Sequence, residues 1–74
     1  MTLDKIKLNQ PVKVSKVNTD YVPVKFVQLG FIPGAEIVLE RPPLKNGLLY
    51  IVLDGFYLAI AEEIAKKIEV EKID

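Results

Sequence analysis

The chain has 74 residues, ten basic against ten acidic, with no histidine, no cysteine and half of its residues hydrophobic. That length predicts one domain over residues 1–74, and the apolar half of the composition argues against disorder. Balanced charge removes the field that would draw nucleic acid or anionic lipid, and the missing cysteines remove disulfides and thiolate metal sites.

The opening "MTLDKIKLNQP" carries charge where a signal peptide would have its apolar centre. The longest uncharged stretch, residues 26–35, is ten residues and contains glycine and proline, against the roughly 20 apolar residues of a membrane-spanning helix. Together with the absence of cysteine, this predicts a soluble, cytoplasmic protein without direct membrane insertion.

"PVKVSKV" places Val12 and Val14 on one strand face and then changes phase at Lys16 and Val17, which predicts a strand that ends or bulges there. Asp20 is positioned to cap a helix over residues 21–29, with Pro23 in its first turn and Val22, Phe26 and Leu29 on one face, although Val22 before the proline resists the helical region at that start. Gly30 is suited to end that helix in the left-handed conformation. Pro33-Gly34 fits the central positions of a type II turn.

"AEIVLER" alternates, with Ile37 and Leu39 opposite Glu36 and Glu40, and "GLLYIVL" is apolar on both faces, as a central strand would be. Asp54-Gly55 predicts a two-residue type I′ hairpin into "FYLAI", and Asn46-Gly47 is a second turn signal of the same kind. Pro42-Pro43 must end or bend the strand before it. Residues 35–60 thus read as three consecutive antiparallel strands. "AEEIAKK" offers Glu62–Lys66 and Glu63–Lys67 at helical spacing, and "IEVEKI" alternates again through Ile68 and Val70. The predicted fold is mostly β: a small SH3-like barrel of about five antiparallel strands with one or two short helices.

Catalysis has little to draw on. The nucleophile–base pairs that use histidine or cysteine are missing, and the hydroxyls Thr2, Ser15 and Thr19 lie in no motif. The pair Glu62–Glu63 beside Lys66 and Lys67 reads as a solvated charged face rather than an acid–base device. The chain is expected not to be an enzyme and to carry no cofactor. Glu36, Glu40 and Asp54 are the carboxylates nearest to a weak hard-cation site, but no ligand spacing supports one, so no metal site is expected. Tyr21, Tyr50, Phe56 and Tyr57 read as core or hairpin-face residues rather than stacking platforms for bases, and no nucleic-acid partner is expected.

Within "LGFIPGAEIVL", residues 29–39, Gly30 and Gly34 have neither the spacing of a P-loop nor that of a dinucleotide fingerprint. The glycines serve as cap and turn. Phe31 and Ile32 are then two large apolar side chains in a loop, which need either a core to enter or a partner to cover them.

"LGFIPGAEI" resembles the L-G-[LFM]-x-P-G-x-x-[IV] signature of the FeoA family. The likeness extends over "TLDKIK", "VKV", "RPPL", "YIVLDGFYLAI" and "EEIAKKIEV". The resemblance implies an SH3-like barrel and a role in ferrous iron uptake. The implied partner is a FeoB-like membrane permease, met at its cytoplasmic, GTPase-bearing region. The chain departs from the family pattern at Asn9-Gln10-Pro11, where glycine is common, and in "VPVKFVQLG", where Lys25 stands without a second basic residue. The double proline also stiffens the arm that follows.

On this basis the chain is expected to be a non-enzymatic docking module that modulates transport. Lys25, Gln28, Phe31 and Ile32 would touch the partner, while Leu29, Gly30, Pro33 and Gly34 shape the loop. A charge at position 31 is then expected to abolish binding and spare the fold. The alternative is a metal-linked regulatory domain working with a metal-dependent transcription repressor; nothing in the chain reads as a DNA-binding helix-turn-helix. An unpaired edge strand or the apolar loop would support weak self-association as a homo-oligomer.

Overall fold

The computed structural model describes residues 1–41 and 47–73. A 3-10 turn at Leu3–Lys5 precedes β1 (Val12–Val17), α1 (Val24–Leu29), β2 (Glu36–Arg41), β3 (Leu48–Leu53), β4 (Phe56–Ala61), α2 (Glu62–Ala65) and β5 (Ile68–Lys72). The strands form one antiparallel sheet in the order β4-β3-β2-β1-β5. Its two terminal strands are joined only by α2 and the residues up to Ile68, so the sheet must curl to let so short a link reach across. The Pro42-Pro43 break and Asn46 of the second turn signal lie outside the described residues.

Alternation in sequence becomes alternation in burial. Val12 and Val14 of β1, Ile37 and Leu39 of β2, and Ile68 and Val70 of β5 enter the core, while Lys13, Glu36, Glu40 and Glu69 beside them stay exposed. In β3 every second residue (Leu49, Ile51 and Leu53) is buried and the others are half-buried, as expected of a strand with neighbours on both sides. The phase change in β1 is a bulge: its register against β5 shifts between Val14 and Lys16. The bulge keeps Val17 packed against the core after the alternation has slipped.

Two turns form as their residues dictate. Asp54 (φ 47°) and Gly55 (φ 89°) both occupy the left-handed region, and Leu53 pairs with Phe56 across them, the type I′ geometry. The Ala35 N–H donates to the Ile32 carbonyl at 3.0 Å around Pro33-Gly34, with Gly34 at φ 95°, closing the type II turn.

The helix starts later than the sequence suggested. Pro23, not Asp20, precedes its first residue, and no side chain caps it. Val22 before the proline is barred from helical geometry and instead lies buried in the core, while the Asp20 N–H donates to Asn18 Oδ1 at 3.2 Å. The expected face of Val22, Phe26 and Leu29 therefore divides: Val22 is buried, Phe26 partly buried, and Leu29 59% exposed.

The end of the helix corrects the reading of Phe31. Gly30 takes φ 118° and its N–H donates to the Val27 carbonyl at 3.1 Å, while the Phe31 N–H reaches back to the Phe26 carbonyl at 3.0 Å. This pair of reversed bonds is a Schellman motif, which turns the residue after the glycine back onto the helix it has just left. Phe31 consequently meets Phe26 edge-to-face, with centroids 5.7 Å apart and planes at 72°, and is 0% exposed. The loop's large side chain had a core to enter. Phe31 cannot touch a partner, and, against the expectation, a charge there would not spare the fold.

Near the C-terminus, α2 is a single turn with the anticipated Lys66–Glu62 pair at 3.8 Å. Lys67 does not join Glu63; its Nζ lies 4.6 Å from the centre of the Tyr21 ring. That contact ties the segment before α1 to the corner before β5.

Truncation of a fully buried phenylalanine removes transfer energy and leaves a cavity. Phe31→Ala is expected to cost about 3–5 kcal/mol in urea unfolding, a large part of the stability of a domain this small. Gly30→Ala should cost about 1–2 kcal/mol. An added Cβ there would meet Leu53 Cδ2 at an ordinary 3.5 Å, so the loss would come from the positive φ alone.

Candidate docking groove

The candidate site is built where α1 ends over the β3–β4 hairpin. Gly30 lies against Leu53, and Leu53 pairs with Phe56 across the turn. Residues directly opposite in an antiparallel pair share a face, so Phe56 and Leu58 point to the same side as the buried Leu53 and Ile51. Leu58 is half-buried against the core, and Phe56 stands past its margin. Between them and the end of α1 runs a shallow groove of about 380 Å³ lined by Gln28, Leu29, Phe56, Tyr57 and Leu58.

This groove is apolar and open. Leu29 is 59% exposed, Phe56 72% and Tyr57 77%, and no charged residue lines it. Large apolar side chains that adjoin one another in solvent mark an interaction surface more often than scattered ones do. Lys25, Gln28 and Leu29 stand at helical i, i+3 and i+4 positions, so they share one face of α1, and all three are exposed. Lys25 places its ammonium 5.7 Å from the centre of the Phe26 ring, at the rim of that face.

The expected site residues therefore separate. Gln28 lines the groove, Lys25 lies on the same helical face, and Ile32 is exposed beyond the Gly30 turn. Phe31 is in the core. Leu29, expected to shape the loop, is instead one of its most exposed apolar side chains, while Gly30, Pro33 and Gly34 form the cap and turn. Phe56, Tyr57 and Leu58 were not anticipated. The signal in the sequence was that "FYLAI" has neither a charge nor a proline, although it borders a turn and supplies a strand.

The carboxylates arrange differently. Glu36 and Asp54 border a separate shallow depression of about 270 Å³ with Val38, Val52 and Gly55; Glu40 is not among its lining residues. Asp54 Oδ1 accepts the Glu36 N–H at 3.2 Å, and the Asp54 N–H donates to the Glu36 carbonyl at 3.1 Å. The Asp54 side chain thus fastens the hairpin turn to the start of β2. Among the described residues, no three of the histidine, cysteine, aspartate and glutamate type come together in a way that could hold a metal ion. No helix among them is long and apolar enough to cross a membrane.

A five-stranded, strongly curled antiparallel sheet with a short helix laid over one hairpin is the architecture of a small SH3-like domain. The solved structures agree. FeoA of Stenotrophomonas maltophilia in complex with zinc, described as a prokaryotic SH3 domain protein, superposes with a TM-score of 0.82 at 24% identity, covering 96% of this chain and 89% of that one. A FeoA-like protein from Clostridium acetobutylicum gives a TM-score of 0.86 at 26% identity over 99% of this chain and 86% of that one. IdeR of T. acidophilum matches at 22% identity and a TM-score of 0.79, with this chain spanning 34% of its length. No curated protein sequence matches. The FeoA domain family model matches residues 1–72, and the chain belongs to the FeoA family.

Because Leu29 and Phe56 are largely exposed, they should be replaceable without loss of the fold. Leu29→Asp and Phe56→Ser are each expected to change stability by no more than about 0.5 kcal/mol. Urea denaturation followed by far-ultraviolet circular dichroism would check this, and a cost near that of Phe31→Ala would place them in the core.

Proposed function

We propose that this protein is a non-enzymatic accessory of ferrous iron uptake that docks through the α1–β4 groove onto the cytoplasmic, GTPase-bearing region of a FeoB-like permease. The observation that carries the reading is that Leu29, Phe56 and Tyr57, three exposed apolar side chains, line one groove together. Family membership supplies the iron-transport context, and the S. maltophilia relative is described as a candidate bacterial ferrous iron transport activating factor. Docking alone would not change transport. The protein modulates the permease only by binding one of its states more tightly than another.

Each groove residue then has a role. Leu29 and Phe56 supply the apolar contact, Tyr57 adds a ring with a hydrogen-bonding hydroxyl at its tip, and Gln28 and Lys25 orient the contact from the helix face. Ile32 extends the surface past the turn. Gly30, Pro33 and Gly34 hold α1 at the angle that keeps Leu29 outside.

The metal-linked regulatory reading stands second. It draws on the structural likeness to part of T. acidophilum IdeR, which at this identity concerns the fold.

Amide NMR spectra of the labelled protein, recorded while adding the cognate permease's cytoplasmic domain, test the first reading. Manganous ion goes into a parallel sample. Shifts are expected at residues 25, 28, 29, 32 and 56–58 with the protein partner, and Leu29→Asp should weaken binding at least tenfold, about 1.4 kcal/mol. Shifts produced by metal alone, centred on Glu36 and Asp54, would replace docking with the regulatory reading.

A further inference from the structure

The two margins of the sheet are treated differently. The outer edge of β5 is occupied by the N-terminal residues: the Val70 N–H donates to the Met1 carbonyl at 2.8 Å, and Thr2 bridges Glu69. The outer edge of β4 has no such cover among the described residues.

Hydrogen-bond parity says which groups are left open there. In a strand, the N–H and C=O of one residue point to the same side, and the next residue's point to the other. The Asp54 N–H is directed to Glu36, so the even-numbered residues of β3 face β2 and the odd-numbered ones face β4. Across the two-residue turn, Phe56, Leu58 and Ile60 bond back to Leu53, Ile51 and Leu49. The Glu62 N–H, donating to the Gly47 carbonyl at 2.8 Å, confirms the same parity at the far end. Tyr57 and Ala59 therefore turn their backbone donors and acceptors outward, and Ala61 its N–H, since its carbonyl caps α2.

Nothing in the strand guards that edge. Residues 56–61 read FYLAIA, without lysine, proline or any charge, the devices that usually keep an edge strand from pairing.

We infer that β4 pairs with β4 of a second copy of this chain, antiparallel about a twofold axis at Ala59, joining the two sheets into one. Parity allows only registers in which outward residues face outward residues. Of these, the one centred on Ala59 overlaps residues 57–61, all of the strand but Phe56. It places Ala59 opposite itself and Tyr57 opposite Ala61 of the second copy. Each tyrosine ring is met by a methyl group, with no like charges opposed. The Ala59 pair exchanges two bonds and each Tyr57–Ala61 pair one, from the Ala61 N–H to the Tyr57 carbonyl, about four in all. The chain's formal net charge of zero adds no repulsion between copies.

The contact is small. Two Phe56 and two Tyr57 rings, each about three-quarters exposed in one copy, supply roughly 500–700 Å² of coverable surface. Even with the strand backbones this stays below the about 1,200–2,000 Å² of stable specific interfaces, which makes the dimer weak and concentration-dependent.

Ala59 does not line the groove, so the pairing can be tested apart from permease docking. Sedimentation equilibrium from micromolar to millimolar protein should show a reversible monomer–dimer transition. Ala59→Pro removes an outward N–H and no bond to β3, a position where an edge strand tolerates proline. Ala59→Lys opposes two like charges on the axis. Both variants are expected to weaken dimerisation at least tenfold while keeping the wild-type circular dichroism, the lysine variant serving if the proline disturbs the strand. In the wild type, amide exchange at residues 59 and 61 should slow as concentration rises. A protein that stays monomeric at millimolar concentration, or a dimer that Ala59→Lys leaves intact, would overturn the inference. A monomeric Ala59→Lys protein whose groove is free yet does not bind the permease domain would overturn the docking reading instead.

Discussion

The reversal of the chain at Gly30 is the constraint on which the surface of this protein depends. Two hydrogen bonds, Gly30 to Val27 and Phe31 to Phe26, turn the backbone so that one aromatic side chain goes inward and the leucine before the glycine is left outward. Only a residue at ease with positive φ accomplishes this in so little length. Burying Phe31 contributes about 1.5–3 kcal/mol, and the edge-to-face contact with Phe26 adds to it. The core thus holds the helix by its C-terminal end. A six-residue helix with no side-chain cap at its start could not persist in water alone; its orientation is imposed by Phe31, and with it the exposure of Leu29.

That dependence explains how structural and functional roles became interleaved within a few residues. Gly30, Phe31, Pro33 and Gly34 serve the fold, while Gln28, Leu29 and Ile32 are presented to solvent. The groove needs a second wall, which comes from residues 56–58, distant in sequence and brought near because Gly30 rests on Leu53 at the base of the same hairpin. A family signature and an interaction surface thus overlap in sequence without being carried by the same side chains.

What could be read in advance follows from the range of the physics involved. Turns and strand faces are decided by neighbouring residues, so Asp54-Gly55, Pro33-Gly34, the alternation of Ile37 with Leu39, and the bulge beyond Val14 were all legible. Phe31 was not. Its burial depends on a helix reversal that aims a side chain at a core assembled from the rest of the chain, and local pattern gives a loop phenylalanine no direction. The start of α1 was legible as a conflict, Asp20 favouring an earlier start and Val22-Pro23 resisting it, and the structure settles it at Val24 in favour of the proline. Phe56 and Tyr57 were legible as hairpin residues. Their solvent exposure was not, because it reflects the end of the core beneath them.

The pairing of β1 with β5 has a further consequence, for the order in which the molecule can assemble. Val12 meets Lys72 and Val17 meets Ile68, contacts that enclose nearly the whole described chain, whereas β3 and β4 meet across two residues. Loop-closure entropy disfavours the long-range contact until the segments between are already compact. The β3–β4 hairpin can form early, and the β1–β5 seam is left to complete the sheet. Until that seam closes, Met1 and Thr2 have no finished β5 to cover, so the growing sheet has two bare margins where the finished one has one. The native arrangement thus removes an aggregation-prone edge at the last step of folding, and it does so with the first residues of the chain.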